Sequence, residues 1–301
     1  NASSIKELKI PRVSKGERVI AHVPKKVYCN AHAYHINSIS LNSDGETFLS
    51  ADDLRINLWH INHTKESHTI VDIKPPNMED LSEVITSASF HPGQCSTFMY
   101  SSSKGTIKLG DLRQSSTCSS FSKSFEVEED PSSKTFFSEI IASVSDAKFS
   151  PDGKYILSRD YMTLKVWDVK MERQPLKVLN IHEPLRSKLC DLYENDCIFD
   201  KFECAFSGDG NYALTGSYKN HLHIFDRQGK SHSHIEASTT PSLKKKTLSK
   251  TSILTRKKKK SDEAFDNADF AKKCLHLAWH PEDNIIAVSS VNSLFIFASM
   301  N

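Results

Sequence analysis

Five times in this 301-residue chain a tight-turn tetrapeptide is followed by two short apolar runs with a second turn between them, and few folds accommodate that repeat. The first copy, Asn42 to Ile61 (NSDGETFLSADDLRINLWHI), shows the plan. Gly45 tolerates a positive φ and Asp44 can bond its own backbone, which is the chemistry of a tight turn. Thr47 to Ala51 and Leu54 to Ile61 are rich in aliphatic and aromatic residues. Leu54, Ile56 and Leu58 alternate with Arg55, Asn57 and Trp59, the period of a strand. Asp52 and Asp53 then fall at a strand-to-strand turn.

The turn recurs as HPGQ at 91–94, SPDG at 150–153, SGDG at 207–210 and HPED at 280–283. About 15 residues later each copy closes on a bulky residue: Trp59, Leu109, Trp167, Phe225 and Phe297. An apolar strand precedes each turn (HINSISL, ITSASF, VSDAKF, FECAF, CLHLAW). Every copy but the last is followed by a fourth strand, such as HTIVDI at 68–73 or LKVLNI at 176–181. Four strands per unit at a period of roughly 45 residues is the pattern of β-propeller blades. Asp111, Asp168 and Asp226 give WD-like ends, from which His60 and Ala298 depart.

The predicted fold is therefore all-β, a WD-repeat β-propeller with blade units at 31–73, 85–126, 141–181, 203–239 and 271–301. The last unit lacks its fourth strand, and an open edge of that kind is expected to be closed by the N-terminal end of the same chain. Residues 1–30 read as a lead-in, where Pro11 and Pro24 confine Ile5 to Ile10 and Arg18 to Val23 to edges or arms. A first residue of Asn rather than Met points to sequence upstream.

Connections between the fourth strand of one blade and the first of the next emerge on the face that also carries the turns between second and third strands. Insertions on one face mark a binding face. Three of these connections, 74–84, 127–140 and 182–203, hold thirteen Asp and Glu against five Lys and Arg. They also hold Met78, Leu81, Phe136, Phe137, Tyr193 and Phe199. Acids beside apolar anchors suit an extended basic peptide; solvated loops pinned by their apolar residues are the plainer alternative. A fourth connection, 240–270, is a basic insertion without apolar periodicity, predicted to be disordered, and is open to reading as a nuclear-import signal, an anion site or a phosphorylation-controlled linker.

Catalytic patterns are absent. SSSKGT at 101–106 lacks the first glycine of a phosphate-binding loop and lies between strands, and there is no His-Glu-x-x-His or Cys-x-x-Cys. His32 and His35 stand near no carboxylate or cysteine cluster, so a hydrogen-bonded structural role is expected there rather than a metal. Cys204 begins a core strand and reads as buried filler. No catalytic residue, metal or cofactor is assigned. A net charge of +2 argues against nucleic acid as a partner, and no run of about 18 apolar residues points to a membrane. Seven cysteines without close pairs, and no signal-peptide pattern, point to a reducing compartment, the cytoplasm. The basic insertion adds a nuclear reading.

Longer runs are more specific: AHAYHINSISLNSDGETFLSADDLRINLWH, IVDIKPPNMEDLSEVITSASFHP, YSSSKGTIKLGDLR, FFSEIIASVSDAKFS, SRDYMTLKVWD and LRSKLCDLYENDCIFDKFEC. From about Lys6 to the C-terminus the chain resembles the class B, 55 kDa WD-repeat regulatory subunits of serine/threonine protein phosphatase 2A. The resemblance implies a non-catalytic, seven-bladed propeller that docks on a helical-repeat scaffold subunit beside a catalytic subunit. An acidic groove on its top face would select basic phosphoprotein substrates. Asp53, Met78, Leu81, Val84, Phe136, Phe137, Ile140, Tyr193, Glu194, Asp196 and Phe199 match positions of that groove and its rim. Leu8, Ile10 and Val13 match the returning strand of a scaffold-gripping hairpin. Only five blade units are visible here, and the outgoing hairpin strand is missing. A WD-repeat scaffold unrelated to phosphatases is the rival reading. Within the first unit the Asp52–Asp53 pair is set against Ser103–Lys104, Arg159–Asp160, Tyr218–Lys219 and Val291–Asn292, and it alone carries two acids.

Overall fold

A computed structural model of the chain describes residues 23–114, 121–127, 134–238 and 270–299. Five antiparallel sheets follow one another along it, each a meander whose strands pair in chain order. The first comprises β1 (Ser38–Leu41), β2 (Thr47–Ala51), β3 (Arg55–His60) and β4 (His63–Asp72). The second comprises β5 (Ile85–Phe90), β6 (Thr97–Ser102), β7 (Ile107–Asp111) and β8 (Lys123–Phe125). The third holds β9 (Asp146–Phe149), β10 (Tyr155–Arg159), β11 (Thr163–Asp168) and β12 (Lys177–Asn180), and the fourth β13 (Cys204–Phe206), β14 (Tyr212–Gly216), β15 (His221–Asp226) and β16 (His232–Glu236). The fifth has three strands, β17 (Leu277–Trp279), β18 (Ile285–Ser290) and β19 (Ser293–Ala298).

The tight turns form by two related routes. Gly45, Gly153 and Gly210 take φ of +68°, +69° and +69°, and the aspartate before each accepts from the amide two residues after it, as Asp44 Oδ1 does from Glu46 at 2.8 Å. The two His-Pro turns use an imidazole instead. His91 Nδ1 accepts from the amides of Gly93 and Gln94, and His280 Nδ1 from those of Glu282 and Asp283.

Both faces of a middle sheet are covered, so strand alternation sorts side chains between two neighbours rather than between core and water. Phe98 and Tyr100 of β6 pack toward Leu49, Ile56 and Ile70 of the first sheet. Met99, between them, packs with Ile156 and Trp167 of the third. Equivalent layers join the third sheet to the fourth and the fourth to the fifth. Each fully buried Leu, Ile or Phe in these layers contributes about 1.5–3 kcal/mol relative to exposure.

First strands of consecutive sheets are neighbours, and their unpaired inner edges are satisfied by side chains of the preceding sheet. The amides of Ala88 and Phe90 donate to Ser38 Oγ and Ser40 Oγ, each at 3.0 Å. Cys204 N donates to Asp146 Oδ2 at 3.1 Å, and Leu277 N to Glu203 Oε2 at 3.0 Å. Cys204 itself is buried in the layer between the third and fourth sheets. Two apolar faces stay open: Ile39 and Leu41 on β1, and Leu294 and Ile296 on β19, are all more than 60% exposed. No strand among the described residues pairs with the outer edge of β19.

The second turn of each unit is where the structure corrects the sequence alignment. Amide-to-carbonyl bonds across that turn run Asp52 to Arg55, Ser102 to Thr106, Asp160 to Thr163 and Ser217 to His221. Asp52 therefore corresponds to Asp160, and Asp53 to Ser103, Tyr161 and Tyr218. The two acids of the first turn have different jobs. Asp52 is 1% exposed; its Oδ1 accepts from the amides of Leu54 (2.8 Å) and Arg55 (2.7 Å), and its Oδ2 lies 2.8 Å from His32 Nδ1. His32 Nε2 meets Ser50 Oγ at 2.6 Å, which also accepts from Trp59 Nε1 at 2.8 Å. His32 is thus held in a structural hydrogen-bond relay. Asp160 repeats the pattern with the amides of Met162 and Thr163.

Replacing Asp52 by Ala would strand two amides, at about 1–3 kcal/mol for each buried group left unsatisfied. Urea unfolding followed by tryptophan fluorescence should show a loss of about 2–4 kcal/mol for Asp52→Ala and less than about 0.5 kcal/mol for Asp53→Ala; equal losses would refute the division of roles.

Candidate functional site

Second-to-third-strand turns and fourth-to-first-strand connections share one end of the sheets, because each of the first four sheets is a four-strand meander and the fifth continues the pattern with three strands. Contacts knit them into a continuous face. Ile85 N donates to Asp53 O at 2.8 Å, and Ser103 N to Val84 O at 2.9 Å. Gly105 lies so close to the carbonyl of Ala142 that a Cβ there would stand 2.9 Å from the oxygen, and Tyr161 N donates to Ile141 O at 3.2 Å.

The first connection makes a 3-10 turn at Met78–Asp80, capped by Asn77 Oδ1 accepting from Glu79 N. Met78 and Leu81 are exposed, and Val84 is half-buried with its amide on Ser103 Oγ. Glu83 does not face solvent as a free acid: Lys108 Nζ lies 2.6 Å from its Oε1. Burial opposes ionisation of Glu83, but the hydrogen bond from Lys108 and the charges of Lys108 and Lys104 outweigh it and hold the carboxyl below its usual range.

The second and third connections meet. Helix α1 (Ser138–Ala142) packs Ile140 and Ile141 inward, and Phe137 packs with them, over a core formed by Leu185, Leu189, Leu192, Ile198 and Phe202. Helix α2 (Leu189–Glu194) is capped by Asn195, and Asp196, with a φ of +57°, then turns the chain into a 3-10 turn at Cys197–Phe199. This brings four aromatic rings together. Tyr193 lies 5.6 Å from Phe136, 6.0 Å from Phe137 and 5.8 Å from Phe199, centroid to centroid. Phe136, at 69% exposed, and Phe199, at 53%, keep much of their surface in water.

Charge on the face is sorted in a way that composition could not show. Glu183 is paired with Arg186, which holds its carboxyl below the usual range. Asp200 pairs with Lys273, and Glu203 lies 2.9 Å from His276. Glu194 and Asp196 are exposed beside the aromatic cluster, and Asp53 is half-buried; none of the three is in an ion pair among the described residues. Among the predicted residues, then, Phe136, Phe137, Ile140, Tyr193 and Phe199 form one cluster with Glu194 and Asp196 at its edge. Asp53 and Val84 meet at the neighbouring turn, and Met78 and Leu81 occupy the loop before it. Leu8, Ile10 and Val13, the 240–269 part of the basic insertion and acids 128–130 lie outside the described residues.

Beneath the cluster is a polar floor that sequence reasoning missed. Tyr218 Oη donates or accepts with Tyr161 Oη at 3.0 Å and lies 2.9 Å from Asp200 Oδ2 and 2.8 Å from Cys197 O. Burial raises both phenols above their ordinary range. Arg159, wholly buried, bonds Thr215 Oγ1 and Thr163 O and stacks on Phe202 at 5.4 Å; burial pushes its guanidinium down to about 10. His182 bridges Tyr161 O and Ser217 Oγ, and burial followed by the nearby Arg159 charge pushes its imidazole well below the ordinary range. No signal in the sequence alignment pointed to it: only the hydrogen bonds of the equivalent turns set Tyr161 and Tyr218 where the first sheet has Asp53. Among the described residues no helix is long and apolar enough to cross a membrane, and none of the six described cysteines is in a disulfide.

A model of the WD domain, G-beta repeat, matches residues 23–60 and 134–168. The serine/threonine-protein phosphatase 2A regulatory subunit phr2AB of Dictyostelium discoideum is 58% identical over 301 aligned residues, covering 97% of this chain and 61% of the relative. The B beta isoform of the serine/threonine-protein phosphatase 2A 55 kDa regulatory subunit of Carassius auratus is 53% identical over 296, covering 98% of this chain and 67% of the relative. The chain spans about three fifths to two thirds of the length of these relatives.

Because the carboxyl of Glu83 is lowered on folding, its stabilisation is present above the ordinary glutamate range and is lost as pH falls through the folded value. The stability gap between the native chain and Glu83→Gln should shrink as pH is lowered from about 6 toward about 3, measured by urea midpoints. A gap that widens with acidification would overturn the assignment.

Proposed function

The chain belongs to the B-class, 55 kDa regulatory subunits of serine/threonine-protein phosphatase 2A, and from that premise we propose that it selects phosphoprotein substrates for a phosphatase holoenzyme without catalysing the reaction itself. Its partners in this reading are a helical-repeat scaffold subunit, a catalytic subunit and basic substrate segments. The observation that carries it is the aromatic cluster of Phe136, Phe137, Tyr193 and Phe199, partly exposed, with Glu194 and Asp196 unpaired beside it. Half-open rings anchor apolar side chains, while unpaired carboxylates steer and register lysine and arginine. Asp53, Met78, Leu81 and Val84 extend the same surface toward the first sheet, so an extended segment would cross from one connection to the next.

Held in a holoenzyme, such a surface acts by effective concentration: it keeps a phosphoprotein near the catalytic subunit for longer than free diffusion would. Exposed charges dominate the capture, so it weakens as ionic strength rises. The work of the buried floor is to hold the connections still, which spares a bound segment part of the ordering cost. Cytoplasmic residence fits the six described cysteines, none of them in a disulfide, and the basic insertion extends it to the nucleus.

The test is a pull-down of the 301-residue chain with scaffold and catalytic subunits, followed by capture of a basic phosphopeptide. Glu194→Lys with Asp196→Lys, and separately Asp53→Lys, should weaken capture several-fold at physiological salt and leave subunit assembly intact. Capture unchanged by either variant would remove the groove assignment, and an eluate without phosphatase subunits would remove the holoenzyme reading.

A further inference from the structure

Four histidines on the fourth sheet take no part in the face described above. His221 and His223 of β15, two residues apart, point to one side of the sheet, and His232 and His234 of β16 do the same. The register sets His223 opposite His234, Phe225 opposite His232 and His221 opposite Glu236. Two His-x-His strands are thus laid side by side with their imidazoles on a common face. Leu222, Ile224 and Ile235 take the other face, toward the fifth sheet. Phe225, on the histidine side, packs with Leu164, Val166 and Leu179 of the third.

The rings are close and ordered. His223 Nδ1 lies 2.9 Å from His232 Nε2. Ring centroids are 6.0 Å apart for His221 and His234 and 6.3 Å for His232 and His234. Phe225 lies flat against His232, 4.3 Å away and 5° from parallel, which fixes the plane of that ring. A packing role accounts for His223, which is partly buried and also stacks on Phe225. It gives no reason for His232 and His234, both exposed, to be imidazoles.

We propose that this patch binds a divalent transition-metal ion of borderline softness, zinc, nickel or copper, through His223 and His232 with His234 as third ligand. Two nitrogens on a tetrahedral zinc, each about 2.0–2.1 Å from the metal, stand about 3.3 Å apart. The 2.9 Å pair opens by a few tenths of an ångström and each ring turns so that its lone pair points at the ion, which replaces the shared proton. Among the described residues no set of three such groups already stands in ligating geometry, so His234 changes rotamer on binding. As an exposed side chain directly across from His223, it has the room and the reach. Nitrogen donors exclude magnesium and calcium, which take oxygen. Glu236, on the same face of β16, places a carboxylate near His221, where it can orient that imidazole or supply a fourth bond to the ion.

The proposal is independent of the phosphatase reading and is tested on the full chain purified without a polyhistidine tag. Zinc or nickel titrated against a chromophoric chelator should show one saturable site per chain. His223→Gln with His234→Gln should weaken it at least ~10-fold. Because His234 is exposed, His234→Gln alone keeps the fold, and its unfolding temperature without metal should match the native chain while the metal-induced rise is lost. The other close pair, His60 and His63, with centroids 4.7 Å apart, is an internal control: His63→Gln should leave uptake unchanged. No saturable uptake, uptake indifferent to the His223 and His234 changes, or uptake abolished by His63→Gln would each overturn the proposal.

Discussion

The amides on the inner edge of each sheet have no strand to pair with, and the groups that satisfy them determine how the sheets stand against one another. Serine oxygens do this between the first and second sheets, a carboxylate between the third and fourth, and another between the fourth and fifth. Between the second and third, Ser87 reaches Asp146, the same residue that serves the next junction. An unpaired buried amide costs more than a made hydrogen bond gains. These few polar side chains therefore set the sheet-to-sheet geometry, and the apolar layers fill the space they define.

Once the inner strands are pinned, the turns at one end of the sheets come into line and the long connections have a surface to rest on. Tyr161, Tyr218, Arg159 and His182 form the floor of that surface and join the third sheet to the fourth. The third connection then lays Leu185, Leu189, Leu192 and Ile198 over it, leaving Tyr193 and Phe199 above. Burying a guanidinium without a paired carboxylate is costly. The carbonyls of Thr163 and Asp160, the hydroxyl of Thr215 and the ring of Phe202 offset that cost, and this surrounds Arg159 so tightly that it locks two sheets in register.

Much of this was legible from the chain alone. Turn chemistry at Gly45, Gly153 and Gly210, the period of two around Ile56, and the fourfold strand count are all local, and local patterns survive folding. The split between Asp52 and Asp53 was not legible, because adjacent acids in a turn look alike until the hydrogen bonds of equivalent turns are superposed. Nor could counting charges separate Glu194 and Asp196 from Asp200 and Glu203, whose partners, Lys273 and His276, lie 73 residues away. The histidine patch was half legible: two His-x-His triplets are plain in the sequence, but only the register says that they share a face.

Among the described residues the junctions between sheets are made with immediate neighbours, so each layer's free energy depends on the layers beside it. Among the described residues the second, third and fourth sheets are stitched on both sides, while Ile39 and Leu41 of the first and Leu294 and Ile296 of the fifth are exposed. Backbone amides near Arg159, in a layer stitched on both sides, exchange slowly with solvent. The proposed substrate surface draws on that stiffness. Its aromatic half rests on a layer held from both sides, so that part of the binding face is stiff before any segment arrives.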